Sequence, residues 1–152
     1  MSTSAEFSWT DSFLLGFEPM DNTHREFVEL VQAMLESDQA AFPGRLRAFI
    51  RHAERHFGEE YEWMSSTEFP ATQCHHDEHQ AVLASLYEVE AAIQDGTADP
   101  TAGLRLAQEL VRWFPGHADY MDAALAQWMV KRNHGGAPVV FRRSIEPGNV
   151  PV

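Results

Sequence analysis

His56-Phe57-Gly58-Glu59-Glu60 places an imidazole and a carboxylate four residues apart, inside a run whose other inward positions are apolar. Four residues is about one helical turn, so His56 and Glu60 share a face. Leu46, Phe49, Ile50, Ala53, Phe57, Trp63 and Met64 complete that face at intervals of three and four, which predicts an amphipathic helix. A core-facing carboxylate left unpaired costs several kcal/mol or more, so this helix needs a partner for Glu60. Glu59, about 100 degrees away from its neighbour, is expected to face solvent.

Outward from this stretch the same problem recurs. Upstream, Asp21-Asn22-Thr23 supplies helix-start chemistry, and His24, Phe27, Val31 and Met34 continue an apolar stripe that ends near Ser37-Asp38. Pro43-Gly44 opens the second helix and Ser65-Ser66-Thr67 closes it. Phe69-Pro70 begins a third, whose inward face reads His75, His79, Val82, Leu83, Leu86, Val89 and Ile93 until Asp95-Gly96. Asp99 and Pro100 start a fourth, with Leu106, Leu110, Trp113, Phe114, His117, Met121, Leu125, Trp128 and Met129 on one side.

Four amphipathic helices with short connections predict an all-α, antiparallel up-down-up-down four-helix bundle across residues 1–132. Residues 1–20 read as an N-terminal arm packed on the body, because Trp9, Phe13, Leu14, Leu15 and Phe17 are too apolar for a free tail. Gly135-Gly136, Pro138, Pro147, Gly148 and Pro151 predict a non-helical C-terminal tail over 133–152.

Composition narrows the function. With 44% hydrophobic and 22% charged residues the chain reads as an ordinary soluble domain. A formal charge of −12 repels phosphate, so no nucleic-acid partner is expected. No run of about 18 apolar residues is present, so no membrane insertion is expected, and without a signal-like N-terminus the expected location is cytoplasmic. The one cysteine, Cys74, has no internal disulfide partner and reads as a surface thiol.

Depth along the bundle brings the polar residues together. His24 lies near the start of the first helix, His56 and Glu60 near the end of the second, His75 and His79 near the start of the third, and His117 and Asp122 late in the fourth. In an antiparallel bundle these positions coincide at one end, where metal is the common partner. The spacing of five between His117 and Asp122 is irregular, since a regular α-helix would separate them by about 140 degrees. A local π-type turn is predicted there, helped by Pro115, which lacks a backbone donor. His52 and His76 read as supporting or solvated residues outside the ligand set, and His134 carries no signal.

Taken in order, these residues resemble the hemerythrin family, specifically its single-domain bacterial members. The resemblance runs from Trp9 to about Arg132 through Gly16, Asp21-Asn22-Thr23-His24, His56 to Glu60, Phe69-Pro70, His75 with His79, and Trp113-Phe114-Pro115-Gly116-His117 with Asp122. It implies a non-haem di-iron centre that binds O2 reversibly at one iron. By that resemblance His75, His79 and His117 hold one iron and His24 and His56 the other, with Glu60, Asp122 and an oxo or hydroxo group bridging. Ligand chemistry alone leaves iron, manganese and zinc open. Phe57 and Trp113 are expected to keep the O2 pocket dry, and Phe114 and Ala118 to line it. These last two depart from the family, which commonly has an aliphatic residue and an isoleucine at those places.

The expected function is therefore oxygen carriage, storage or delivery by a non-enzymatic protein. The chain contains no Glu-x-x-His element of the carboxylate-rich di-iron oxidases. Two alternatives use the same ligands: O2 or redox sensing through a protein partner that contacts the tail, and enzymatic reduction of peroxide or nitric oxide. A monomer is the favoured oligomeric state.

Overall fold

The computed structural model describes residues 7–133. Its helices are α1 (Glu18–Glu36), α2 (Phe42–Ser66), α3 (Thr72–Gln94), α4 (Ala102–His117) and α5 (Ala123–Asn133), preceded by a short 3-10 turn at Asp11–Phe13. A π-helical turn, Ala118–Asp122, joins α4 to α5, so these three segments form the fourth rod of a four-helix bundle. No strand occurs among the described residues. The tail falls, from His134 onward, outside them.

The rods pack around a square, with α1 against α2 and α4, and α3 against α2 and α4. Phe27, Val31, Phe49, Ile50, Ala53, Leu86, Ala107 and Phe114 fill the middle. A second apolar cluster, including Met20, Met64, Phe69, Leu125 and Ala126, closes the end beyond the polar layer. At the opposite end the Gln39 side chain donates to the Pro100 carbonyl and Arg47 meets Glu90, which fixes the antiparallel order. No helix among the described residues is long and apolar enough to cross a membrane.

The expected stripes match the buried faces of α1, α2 and α4, and the departures have local causes. On α3 only His75, His79 and Leu86 are fully buried; Val82, Leu83, Val89 and Ile93 are half covered, since α3 sits at a more open corner. The first helix starts at Glu18, earlier than Asp21-Asn22-Thr23, because Pro19 fits the first turn, where its missing N–H is no loss. Asp21 instead reaches backward: its carboxylate accepts from the N–H of Leu15 at 2.8 Å and of Gly16 at 3.1 Å. Gly16 has φ +91°, a conformation that glycine enters without strain, and this turns both N–H groups toward Asp21. The fourth rod begins at Ala102, with Asp99 accepting from Thr101 N–H just before it. α3 likewise starts at Thr72, after a turn that buries Phe69.

The described part of the arm, residues 7–17, packs on the body. Phe7 is buried with Phe114 and Phe13 at its ring edges, and its N–H donates to the Gln32 side chain at 2.6 Å. Asp21 is the hinge of this arrangement, since it is 6% exposed and bonded to two backbone donors. Asp21→Ala is expected to lower unfolding stability by about 1–3 kcal/mol, the cost of two stranded donors, in a urea titration. A loss below a few tenths of a kcal/mol would mean that the turn holds without it.

Candidate metal centre

Each part of the bundle's polar layer is built by a different rod. His24 points inward from the second turn of α1, His56 and Glu60 from the last turns of α2, and His75 and His79 from the first turns of α3. His117 ends α4 and Asp122 ends the π turn. None of the seven is more than 5% exposed. The spacing of five works because Ala123 N–H bonds back to the Ala118 carbonyl, the i to i−5 pattern of a π turn, which brings Asp122 Oδ1 to 3.2 Å from His117 Nε2.

The two carboxylates divide their oxygens between two sets of imidazoles. Glu60 Oε2 lies 2.9 Å from His56 Nε2 and 3.6 Å from His24 Nε2, while Oε1 lies 3.2 Å from His75 Nε2 and 3.4 Å from His79 Nε2. Asp122 repeats the pattern, with Oδ2 at 3.1 Å from His24 Nε2 and Oδ1 at 3.0 Å from His75 Nε2. Two groups able to hold a cation follow, one of Glu60, His75, His79, His117 and Asp122, the other of His24, His56 and Glu60. Both carboxylates touch both sides.

The donor set fits metal ions on a second count, the polar atoms left without partners. Among the described residues, the buried side-chain N and O atoms that lack a hydrogen bond are Trp9 Nε1 and eight atoms of this cluster, from His24, Glu60, His75, His79 and Asp122. Their short approaches are proximity without donor alignment. His79 Nε2 and His117 Nε2 also face each other at 3.0 Å. His117 Nδ1, 2.6 Å from Glu78 Oε1, is the natural donor of that ring, so its Nε2 offers a lone pair to the centre. Imidazole nitrogen with carboxylate oxygen suits divalent first-row metals.

Electrostatics in the metal-free protein follow from this crowding. Burial alone would lower His24, but Asp122 and Glu60 beside it raise it to about 10. Burial likewise opposes the rise of His75 to about 9, which Asp122 and Glu60 cause, and His117 is raised by Asp122 and Glu78. His79 falls to about 3, chiefly through burial, with His117 and His75 adding repulsion. Burial and the neighbouring Asp122 push Glu60 up, yet His56 and His24 hold it well below the usual carboxylate range. Asp122, also opposed by burial, is held low by His117 and His24.

Aromatic rings wall the layer. Phe57 stacks on His79 with centroids 3.8 Å apart, and Trp113 stacks on His117 at 4.2 Å. Phe114 meets the His24 ring edge-on at 5.1 Å and lies against Phe27 at 4.8 Å. Ala118 is buried beside them. His52 is buried behind His56, lowered to about 4 by burial and then by the charge of His56; His76 is half-buried against Tyr61, and Cys74 is exposed. Sequence reasoning missed Glu78, Glu26 and the wall position of Phe27. The two acids act across rods, so no local spacing announces them; the inward stripe of α1 did contain Phe27.

Comparison with known proteins gives a consistent result. The profile described as Hemerythrin HHE cation binding domain matches residues 15–129. The chain is similar to the Bacteriohemerythrin of Ralstonia nicotianae, 40% identical over 124 residues that cover 82% of this chain and 89% of that one. It is 23% identical to the Bacteriohemerythrin of Pseudomonas paraeruginosa over 146 residues, 87% and 92% of the two chains. A hemerythrin chain of Sipunculus nudus is 29% identical over 87 residues, 57% of this chain and 71% of that one.

Metal must displace the protons that His24 and His75 carry at neutral pH, because their values of about 10 and about 9 keep both charged in the metal-free state. Loading at pH 7 is therefore expected to release protons into a weakly buffered, indicator-containing solution. Apparent affinity should rise with pH up to about 9 to about 10 and level off above, where the rings lose those protons unaided. Uptake without proton release, or affinity independent of pH between 6 and about 9, would show that the rings are already neutral.

Proposed function

Because the chain belongs to the hemerythrin family, we propose that it binds O2 reversibly at a non-haem di-iron centre, for carriage, storage or delivery. The observation that carries this reading is the pair of buried carboxylates, each with one oxygen toward each imidazole set. In this reading His75, His79 and His117 would hold one iron, and His24 and His56 would hold the other, where O2 would bind. Glu60 and Asp122 would supply carboxylate oxygens to both. When bound, an iron pair supplies two electrons to O2 and recovers them as it leaves.

The protein's own residues then govern access and reversibility. Phe27, Phe57 and Phe114 surround the His24 and His56 side with apolar rings. They exclude the water and protons that would turn binding into net oxidation. Trp113 and Phe57 cover the other side by stacking on His117 and His79. Glu78 fixes the His117 ring by accepting from its Nδ1.

The direct test exposes the anaerobic diferrous protein to O2 and then degasses it. A visible absorption band should appear with O2 and disappear on its removal over repeated cycles. A single irreversible change, or steady O2 consumption with a reductant present, would instead favour an enzyme.

Phe114 and Ala118 set the bulk on the two sides of the pocket, a large group beside His24 and a small one next to His117. Phe114→Leu and Ala118→Ile are each expected to change the rate at which the ferrous protein oxidises in air. If both variants oxidise at the parent rate, these residues do not gate the site.

A further inference from the structure

We propose that His52 and Glu26 are positioning residues for the metal on the His24 and His56 side, holding His56 with its Nε2 lone pair turned into the centre. The inference rests on the two-metal reading above and deepens it. It assigns a role to a buried histidine and a surface acid outside the seven residues.

A chain of polar contacts runs outward from the centre. His56 Nε2 faces Glu60 Oε2 at 2.9 Å, and His56 Nδ1 lies 3.3 Å from His52 Nε2. On its far side His52 Nδ1 lies 2.8 Å from Glu26 Oε1, and Glu26 also pairs with Arg55. His52 is 2% exposed, whereas the Glu26 side chain is 46% exposed, so the chain passes from the core to the surface.

The direction of each bond follows from what the groups can do. An ionised carboxylate only accepts, so the hydrogen of His52 sits on Nδ1. A neutral imidazole carries a single N–H, and the 2.8 Å contact with Glu26 takes it. Nε2 of His52 is therefore an acceptor, and the nearest donor is Nδ1–H of His56. That places the lone pair of His56 on Nε2, facing an anionic oxygen of Glu60 at 2.9 Å. That nitrogen therefore offers its lone pair to whichever cation, proton or metal ion, sits between it and Glu60.

This support is asymmetric across the centre. On the other side Glu78 meets His117 Nδ1 directly, with no intervening ring. On this side His24 Nδ1 has no hydrogen-bond partner among the described residues, so His56 alone has its orientation fixed from outside. Removing His52 should therefore weaken one metal and spare the other.

The test titrates metal-free parent, His52→Leu and His52→Gln with Co2+ against a competing chelator, following metal per chain. The parent should take two equivalents. His52→Leu should keep one at parental affinity and lose about 10–100-fold on the other. His52→Gln should recover most of that loss, because one amide can accept from His56 and donate to Glu26. Parental binding of both equivalents by His52→Leu would overturn the proposal. So would equal weakening of both without rescue by glutamine, which would mark His52 as packing alone. A parent that takes fewer than two equivalents would instead overturn the two-metal reading, and this inference with it.

Discussion

Two carboxylates, Glu60 and Asp122, are fully buried in the middle of a helical bundle, and the surrounding structure is arranged around the need to neutralise them. Two unit charges 4 Å apart repel by about 4 kcal/mol even at an effective dielectric of about 20. In the metal-free protein that repulsion is met by protons on His24 and His75. The arrangement is a compromise, as the unpartnered nitrogens and oxygens of the same cluster show. Cations shared by the two carboxylates would satisfy oxygens and nitrogens together, in the layer where the four rods converge.

The surrounding aromatic rings link this layer to the arm. Phe114 touches His24 on one side and packs against Phe7 and Phe13 on the other. The arm is thus one ring removed from a candidate ligand. Asp21, at the joint between arm and α1, ties Leu15 and Gly16 to the helix that carries His24. Packing in this region fixes the position of His24, whose Nδ1 has no hydrogen-bond partner among the described residues.

How much of this was legible in the sequence depended on whether the interaction was local. Spacings of four placed His56 with Glu60 and His75 with His79, and helix ends in antiparallel order brought those pairs to one depth. The spacing of five was the more telling clue, because a regular helix would have thrown Asp122 off the shared face; the chain resolves it with the π turn at Ala118–Asp122. The start of α1 was misplaced because Asp21 is a good helix starter by type but bonds backward to the arm. Glu26 and Glu78 meet rings on other rods, and a pairing 26 or 39 residues apart leaves no periodic trace.

The central claim is that two metal ions sit between Glu60 and Asp122 and share both. Anomalous diffraction at the iron edge, from crystals of the protein loaded with ferrous iron, measures this most directly. Two peaks are predicted, one within reach of His75, His79 and His117 and the other of His24 and His56, with a carboxylate oxygen from each acid toward each peak. A single peak, or two peaks of which one lies away from Glu60 and Asp122, would contradict the account.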